Sequence, residues 1–381
     1  MTNEVIPYKY PLIRLDLSEE ELEEVRKVFS SGWLTQGPYT EKFERKVAEY
    51  VGAKHAVAVT SCTTALYLCL KALGIKQGDK VAVSDFTFPA TANVVVELRG
   101  RPILVDVNEE YGLDLNELRK ALYVHRDVKA VMLVHPFGHA LNVESYKEVI
   151  SDLGLNIPII EDAATALGST CNGRFAGNMA ECGCFSFHPR KLVAIGEGGM
   201  IVLNDDEMYE KLKILRDHGK NREGVFVLNS LNFRMSDVQA AIGLVQFSKL
   251  EERIEKRRKL AKLYHKLIED IIPYAKPLKE KENCRSTYQS YVIRFPREFG
   301  EHQGTIINRL RREFSIEVQI GTYALHMEPA FRRFVEFGEP LNSKLLKKTT
   351  LTLPLYESMK YEDLEYVVNS VAEVCRSYLK K

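Results

Sequence analysis

Seven short apolar runs, separated by helical patterns, limit this chain to few architectures. They read HAVAVT (55–60), KVAVSD (80–85), RPILVD (101–106), KAVMLVH (129–135), IPIIED (157–162), CGCFSFH (182–188) and GMIVLND (199–205). Amphipathic stretches such as TTALYLCLKALGI and NVESYKEVISDLGL lie between most of them. A strand with one wet face alternates apolar and polar residues, whereas near-continuous apolar runs belong to strands covered on both sides. The expectation is an α/β fold: a mostly parallel seven-stranded sheet with helices on both faces.

A long helical pattern then runs from near Ser236 to about Ile268 and becomes strongly charged after Lys249, in KLEERIEKRRKLAKLYHKL. Such a charge run reads as a solvated helix face. Residues 272–286 read as loop. YQSYVIRF, a helix from His302 and a last helix from Tyr361 suggest a smaller C-terminal α+β domain. The expected division is a large α/β domain over 1–250, with an N-terminal arm, and a small domain over 251–381, linked by one long helix at about 236–268.

With 45% hydrophobic residues in 381, the chain has ample material for such a core. Its 53 basic and 52 acidic residues leave a net charge of +1, which offers no attraction to nucleic acid or membrane. No apolar run approaches the roughly 20 residues of a membrane span. The opening MTNEVIPYKYPLIRLD lacks the basic and apolar regions of a signal peptide. Seven scattered cysteines and no Asn-x-Ser/Thr sequon fit a reducing, cytoplasmic setting better than a disulfide framework.

Ligands of open α/β sheets gather at the carboxyl ends of the strands. Four such ends carry notable residues. After HAVAVT, a helix starting near Thr63 leaves unpaired N–H groups beside the hydroxyls of Ser61, Thr63 and Thr64, which suits phosphate. A simple N-cap by Ser61 accounts for the same residues. Phe86 and Phe88 follow a strand, where an aromatic can cover a flat ring or fill the core. IPIIED runs straight into Glu161 and Asp162, and a buried carboxylate requires a partner, either a ligand cation or a structural bridge. Lys191 lies between two buried strands, where desolvation favours the neutral amine, able to attack a carbonyl; a salt bridge is the alternative. GEGG (196–199) lacks the spacing of a phosphate loop and reads as a turn. His135 and His139 in HPFGH do not share a helix face, and Cys182 with Cys184 has no second ligand pair nearby, so no metal site is expected. In order, phosphate site, aromatic, strand-end Asp and lysine are the parts that hold pyridoxal phosphate.

S-F-x-x-x-K followed by G-E-G-G, with EDAA upstream and NFRMSDVQAA downstream, resembles the DegT/StrS-type sugar aminotransferases. The likeness runs from GWLTQGPYTEKFE to LPLYESMKYEDLEYV. It implies a fold-type-I transferase that uses pyridoxal 5'-phosphate, with pyridoxamine 5'-phosphate as the alternate form. It implies that Lys191 forms the Schiff base and moves the proton, Asp162 pairs with the ring nitrogen, and Phe88 covers the ring. Cys62, Thr63 and Ser186 would bind the phosphate. Asn232 would reach the phosphate of a neighbouring subunit in a homodimer.

The resemblance further implies amino transfer from an amino acid, expected to be L-glutamate, to a keto-sugar linked to a nucleotide. Lys220, Arg222 and Arg234 are candidates for the pyrophosphate, although Arg234 is read first as ordering its own loop. His326, in GTYALHMEPAF, either touches the sugar or packs between domains. Two positions depart from the family. Thr165 stands where Gln or His often meets the ring hydroxyl, a reach that would need a water. Ser230 stands where glycine is usual. Sugar dehydration on the same scaffold is an alternative, opposed by Lys191, which the family's dehydratases replace with histidine. A non-catalytic regulatory homologue is the other.

Overall fold

The computed structural model describes residues 8–336 and 338–378; the first seven residues of the opening stretch read above for a leader lie outside it. All seven expected strands form one sheet: β1 (His55–Val59), β2 (Lys80–Ser84), β3 (Arg101–Val105), β4 (Val128–Val134), β5 (Ile159–Asp162), β6 (Cys182–Ser186) and β7 (Gly199–Leu203). Their spatial order is β1-β7-β6-β5-β4-β2-β3. The pairs from β6 through β3 are parallel, and β7 runs antiparallel to both β6 and β1. The reversal has a local cause. A parallel return needs a crossover of a dozen or more residues, usually a helix, and the link from Phe187 to Gly198 holds none.

Helices cover both faces. The helices are α1 (Glu19–Ser31), α2 (Pro38–Val51), α3 (Cys62–Ala72), α4 (Ala90–Glu97), α5 (Leu115–Val124), α6 (Val143–Asp152), α7 (Asp206–Arg216) and α8 (Asp237–Ser248). One apolar cluster joins Phe43, Val131, Leu133 and Phe187; another, across the sheet, joins Leu66, Val83, Ile160 and Ile201. Alternate residues of β4 and β7 divide between these clusters, as the two-residue period of a strand requires.

The expected single helix over 236–268 is two helices. α8 ends at Ser248 and α9 (Leu250–Ile271) follows after Lys249, whose ψ is 1°. Ser248 Oγ donates to the carbonyl of Val245 at 2.7 Å, a local bond that competes with the helical ladder. Lys249 Nζ is drawn to Glu20 at 2.9 Å on α1. The charged helix is also not a purely solvated face. Arg253 and Arg257 are buried, on the same stripe as Leu250, Ile254, Leu260, Ala261 and Tyr264.

Beyond α9, the strands Lys276–Pro277, Tyr291–Arg294 and Thr350–Leu353 form a three-stranded antiparallel sheet. It is backed by α10 (Gln303–Glu313) and α12 (Tyr361–Arg376), with a separate apolar cluster of Tyr264, Ile293, Leu310, Leu351 and Val371 filling the space, while Leu346 of α11 (Leu341–Thr349) packs with Val292 and Phe86. Tyr10 belongs to that cluster, and its backbone bonds Ser315 and Glu317. The cysteine expectation needs correction: Cys171 and Cys284 form a disulfide. They face each other in register on the short strands Thr170–Cys171 and Cys284–Arg285, a pairing across 113 residues that spacing alone does not reveal. Cys62, Cys69, Cys182, Cys184 and Cys375 are free and buried.

Candidate active site

The carboxyl edge of the sheet brings together residues far apart in sequence. Asp162 ends β5 and lies beside Cys184 of β6; Ser186 ends β6 and faces Gly199 of β7; Gly199 faces Val59, the last residue of β1. Gly199 is required by proximity. A Cβ there would collide with the backbone of Ser61 and stand 2.6 Å from Cys62 N, at the start of α3. GEGG is therefore a turn, with Gly196 at φ +88°, whose last glycine lets β7 pass against the helix start.

Ser61 does cap α3: its Oγ accepts from Thr64 N at 3.1 Å, and Thr64 Oγ1 in turn accepts from Ser61 N at 3.0 Å. Two of the three candidate hydroxyls are thus engaged. The exposed Thr63 and the N–H groups of the first turn remain for an anion.

Asp162 is buried, 6% exposed. Its Oδ2 accepts from Thr91 Oγ1 at 2.8 Å and its Oδ1 from Ala164 N at 3.2 Å. Burial raises its pKa, against the pull of these bonds and of nearby Lys191. Neighbouring Glu161 is structural. It accepts from the backbone N–H groups of Gly177, Met179 and Ala180 at 2.6–2.8 Å and pairs with His135 Nε2 at 2.8 Å. His139, the other histidine of HPFGH, packs edge-on to Tyr288, and burial lowers its pKa to about 3.

Lys191 sits in the loop after β6. Desolvation pushes its amine down; Cys62 and Asp162 oppose this, and Arg190 adds to it. Those mutual influences place the amine, the carboxylate and the start of α3 within electrostatic reach of one another. The loop is firmly held. Lys191 N bonds His188 O at 2.8 Å, Gln289 Nε2 donates to Arg190 O at 2.7 Å, and Arg253 Nη1 donates to Leu192 O at 2.7 Å. Phe88 is 63% exposed and meets Tyr323 edge-on at 6.2 Å, while Phe86 is core. The short strands Phe86–Thr87 and Tyr323–Ala324 pair and hold both rings at this edge.

Other expected residues sit differently. Thr165 Oγ1 donates to His135 O at 2.8 Å, so its proton is engaged and only its lone pairs are left for a ring hydroxyl. His326 is buried, with Nδ1 2.6 Å from Asp85 Oδ2 and its backbone N bonded to Asp85 Oδ1, which is the packing alternative. Lys220 and Arg234 both pair with Asp217, and Arg222 pairs with Glu210 at 2.5 Å. These three cations line one surface pocket of about 460 Å³, in which Lys220 and Arg234 share a single carboxylate. Asn232 is exposed, and its Oδ1 accepts from Arg234 N at 3.1 Å. Sequence reasoning missed Thr91, Arg253 and Gln289. The signal for Arg253 was its place on the apolar stripe of α9; Thr91 and Gln289 carried none.

Burial disfavours the charged form of both the Lys191 amine and the Asp162 carboxylate, and each group opposes that effect on the other. The ligand that needs an amine to bind, a carboxylate beneath a ring nitrogen and a helix start for phosphate is pyridoxal phosphate, and Gly199 keeps that helix start clear. The class is therefore that of a pyridoxal-phosphate-dependent transferase.

The sequence pattern of the DegT/DnrJ/EryC1/StrS aminotransferase family matches residues 15–372, and the chain belongs to that family. It is 32% identical to the spore coat polysaccharide biosynthesis protein SpsC of Bacillus subtilis, covering 98% of each chain. It is 30% identical to the GDP-perosamine synthase of Caulobacter vibrioides, over 95% of this chain and 96% of that one. A sugar aminotransferase described as putative, Spr1654 of Streptococcus pneumoniae, superposes in its pyridoxal-phosphate form with a TM-score of 0.90 at 26% identity, covering 98% of this chain and all of that one. The protein is a pyridoxal-phosphate-dependent aminotransferase.

Proposed function

We propose that the protein moves an amino group from L-glutamate to a keto-sugar carried on a nucleoside diphosphate. The observation that carries the reading is the convergence at one sheet edge of Asp162 at the end of β5, the loop of Lys191 after β6, and the start of α3 against Gly199. The similarity to a GDP-perosamine synthase supports a nucleotide-linked acceptor. When bound, pyridoxal phosphate supplies an electron sink for a carbanion. Asp162 would hold the proton on the ring nitrogen. Phe88 would cover the ring, and the first-turn N–H groups of Cys62 and Thr63, with the Thr63 and Ser186 hydroxyls, would hold the phosphate. Lys191 Nζ, kept toward its neutral form by burial, takes the proton from the donor α-carbon, a positioned transfer commonly worth ~10²–10⁴ in rate.

The separate cluster around Tyr264 and Val371 supports a division into a large domain over 1–250 and a small one over 251–381, with Tyr10 of the arm packing on the small domain, although Ile254, Leu325, Phe331 and Phe334 pack into the clusters of the large sheet. A homodimer completes the reading. Val225, Phe226 and Leu231 are 56%, 69% and 64% exposed on the segment leading to Asn232, a surface suited to a second copy. Release of 2-oxoglutarate from L-glutamate by the loaded protein, then amination of added keto-sugar nucleotides, tests the function. Absence of both, with folded and loaded protein, overturns it.

A further inference from the structure

Arg190 has a different setting from the cations already described. Its backbone is fixed at both ends: the N–H bonds His188 Nδ1 at 3.1 Å and the carbonyl accepts from Gln289 Nε2 at 2.7 Å. Its exposed guanidinium makes no ion pair among the described residues. Its one side-chain hydrogen bond runs from Nη1 to Gln319 Oε1 at 3.3 Å. Lys220 and Arg234 share Asp217 and Arg222 pairs with Glu210, whereas Arg190 faces a neutral amide.

Gln319 is itself held, since its carbonyl accepts from Thr352 N at 2.7 Å. Four residues on, Tyr323 pairs with Thr87 and its ring meets Phe88. The segment from Gln319 to Tyr323 thus spans the rim from the lysine loop to the exposed aromatic. Arg190 also lowers the titration of both Lys191 and His188, so its charge is felt at the amine. A guanidinium offers parallel donors that match a carboxylate in a way an ammonium cannot. The Gln319 amide, with its oxygen turned to Arg190, leaves an N–H₂ group to add a further donor.

We propose that Arg190, steadied by Gln319, binds a carboxylate of the amino donor beside Lys191. The proposal rests on the aminotransferase reading above and assigns the site of the donor's anion. An amino acid carries its carboxylate on the same carbon that loses the proton, so a guanidinium whose charge reaches the Lys191 amine can hold that carbon near it.

The test compares wild type with Arg190→Gln, Arg190→Lys and Gln319→Leu. Calorimetric titration of the loaded protein with glutarate, which carries no amine and cannot react, reads carboxylate binding directly. Single-turnover spectra with L-glutamate, and with a keto-sugar nucleotide on the pyridoxamine-loaded form, read the two half-reactions. Arg190→Gln is expected to weaken glutarate binding and donor KM about tenfold or more, the loss of a charged hydrogen-bond partner. Arg190→Lys should recover part of the loss, Gln319→Leu should show a smaller one, and the keto-sugar half-reaction should fall by much less than the donor half-reaction. Glutarate binding within about twofold of wild type in Arg190→Gln overturns the proposal. So does a loss confined to the keto-sugar nucleotide, which assigns the guanidinium to the pyrophosphate. Wild type that neither binds glutarate nor reacts with any amino acid overturns the functional reading itself.

Discussion

Thr91 Oγ1 donates to Asp162 Oδ2 at 2.8 Å, with both residues buried and Thr87 Oγ1 lying 3.1 Å behind it. The bond ties the start of α4 to the end of β5. It favours the ionised carboxylate, which burial opposes. Thr91→Val keeps the shape and removes the bond. The expected result is cofactor affinity weakened about tenfold, the scale of a hydrogen bond to a charged group, together with a lower melting temperature of cofactor-free protein, where the buried carboxylate loses the same partner. Thr91→Ser should retain most of the affinity. Equal affinity in Thr91→Val and wild type would remove Thr91 from the site.

Burial holds the Lys191 amine below its ordinary value of 10.5. In cofactor-free protein, its contribution to stability is therefore fully present above about pH 10.5 and lost as pH falls through the lowered folded value. Lys191→Met removes the buried amine. It should raise the melting temperature at pH 7 by about 2–4 °C, with the gain closing as pH passes about 10.5. Calorimetry of both cofactor-free proteins from pH 7 to 11 checks this. A variant that melts below wild type at pH 7 would contradict a desolvated lysine.

Gly199 lies against Ser61 and Cys62, so Gly199→Ala forces β7 away from the start of α3. Overpacking of this kind commonly costs about 1–3 kcal/mol. The variant should melt lower and bind pyridoxal phosphate more weakly than wild type. Unchanged binding, measured by fluorescence titration, would show that the close approach does not shape the phosphate seat.

The exposed Phe226 and Leu231 give the subunit association its test. Phe226→Asp combined with Leu231→Asp should yield monomers in sedimentation and lose cofactor more readily, as should Asn232→Ala in protein that remains dimeric. Wild type that is fully active as a monomer would refute the shared site.

The sheet was legible because strands buried on both faces must be apolar throughout, which spaced the seven candidates correctly and implied where ligands gather. Charge patterns were less informative. Arg253 and Arg257 fall in register with Leu250, Ile254 and Leu260, so the apolar period of α9 already placed them inside, but in KLEERIEKRRKL their neighbours made them look like a wet face. The break at Lys249 depends on contacts with Ser248 and with Glu20 on α1, and the Cys171–Cys284 bond on strands paired across the fold. Likewise, no local pattern tells that Arg222 meets Glu210, or that Arg190 meets an amide and, among the described residues, no carboxylate. Lys191 and Asp162 could be found because each breaks an apolar run.

The most direct test is a single-turnover experiment on the loaded protein with L-glutamate, in wild type and Lys191→Ala. Wild type should lose its visible cofactor band while releasing 2-oxoglutarate in proportion, and regain it on addition of a keto-sugar nucleotide that becomes aminated. Lys191→Ala should bind cofactor without forming the lysine-linked band and should release no keto acid on that timescale. Keto-acid release at the wild-type rate from Lys191→Ala, or none from loaded wild type with any amino acid, would contradict the account.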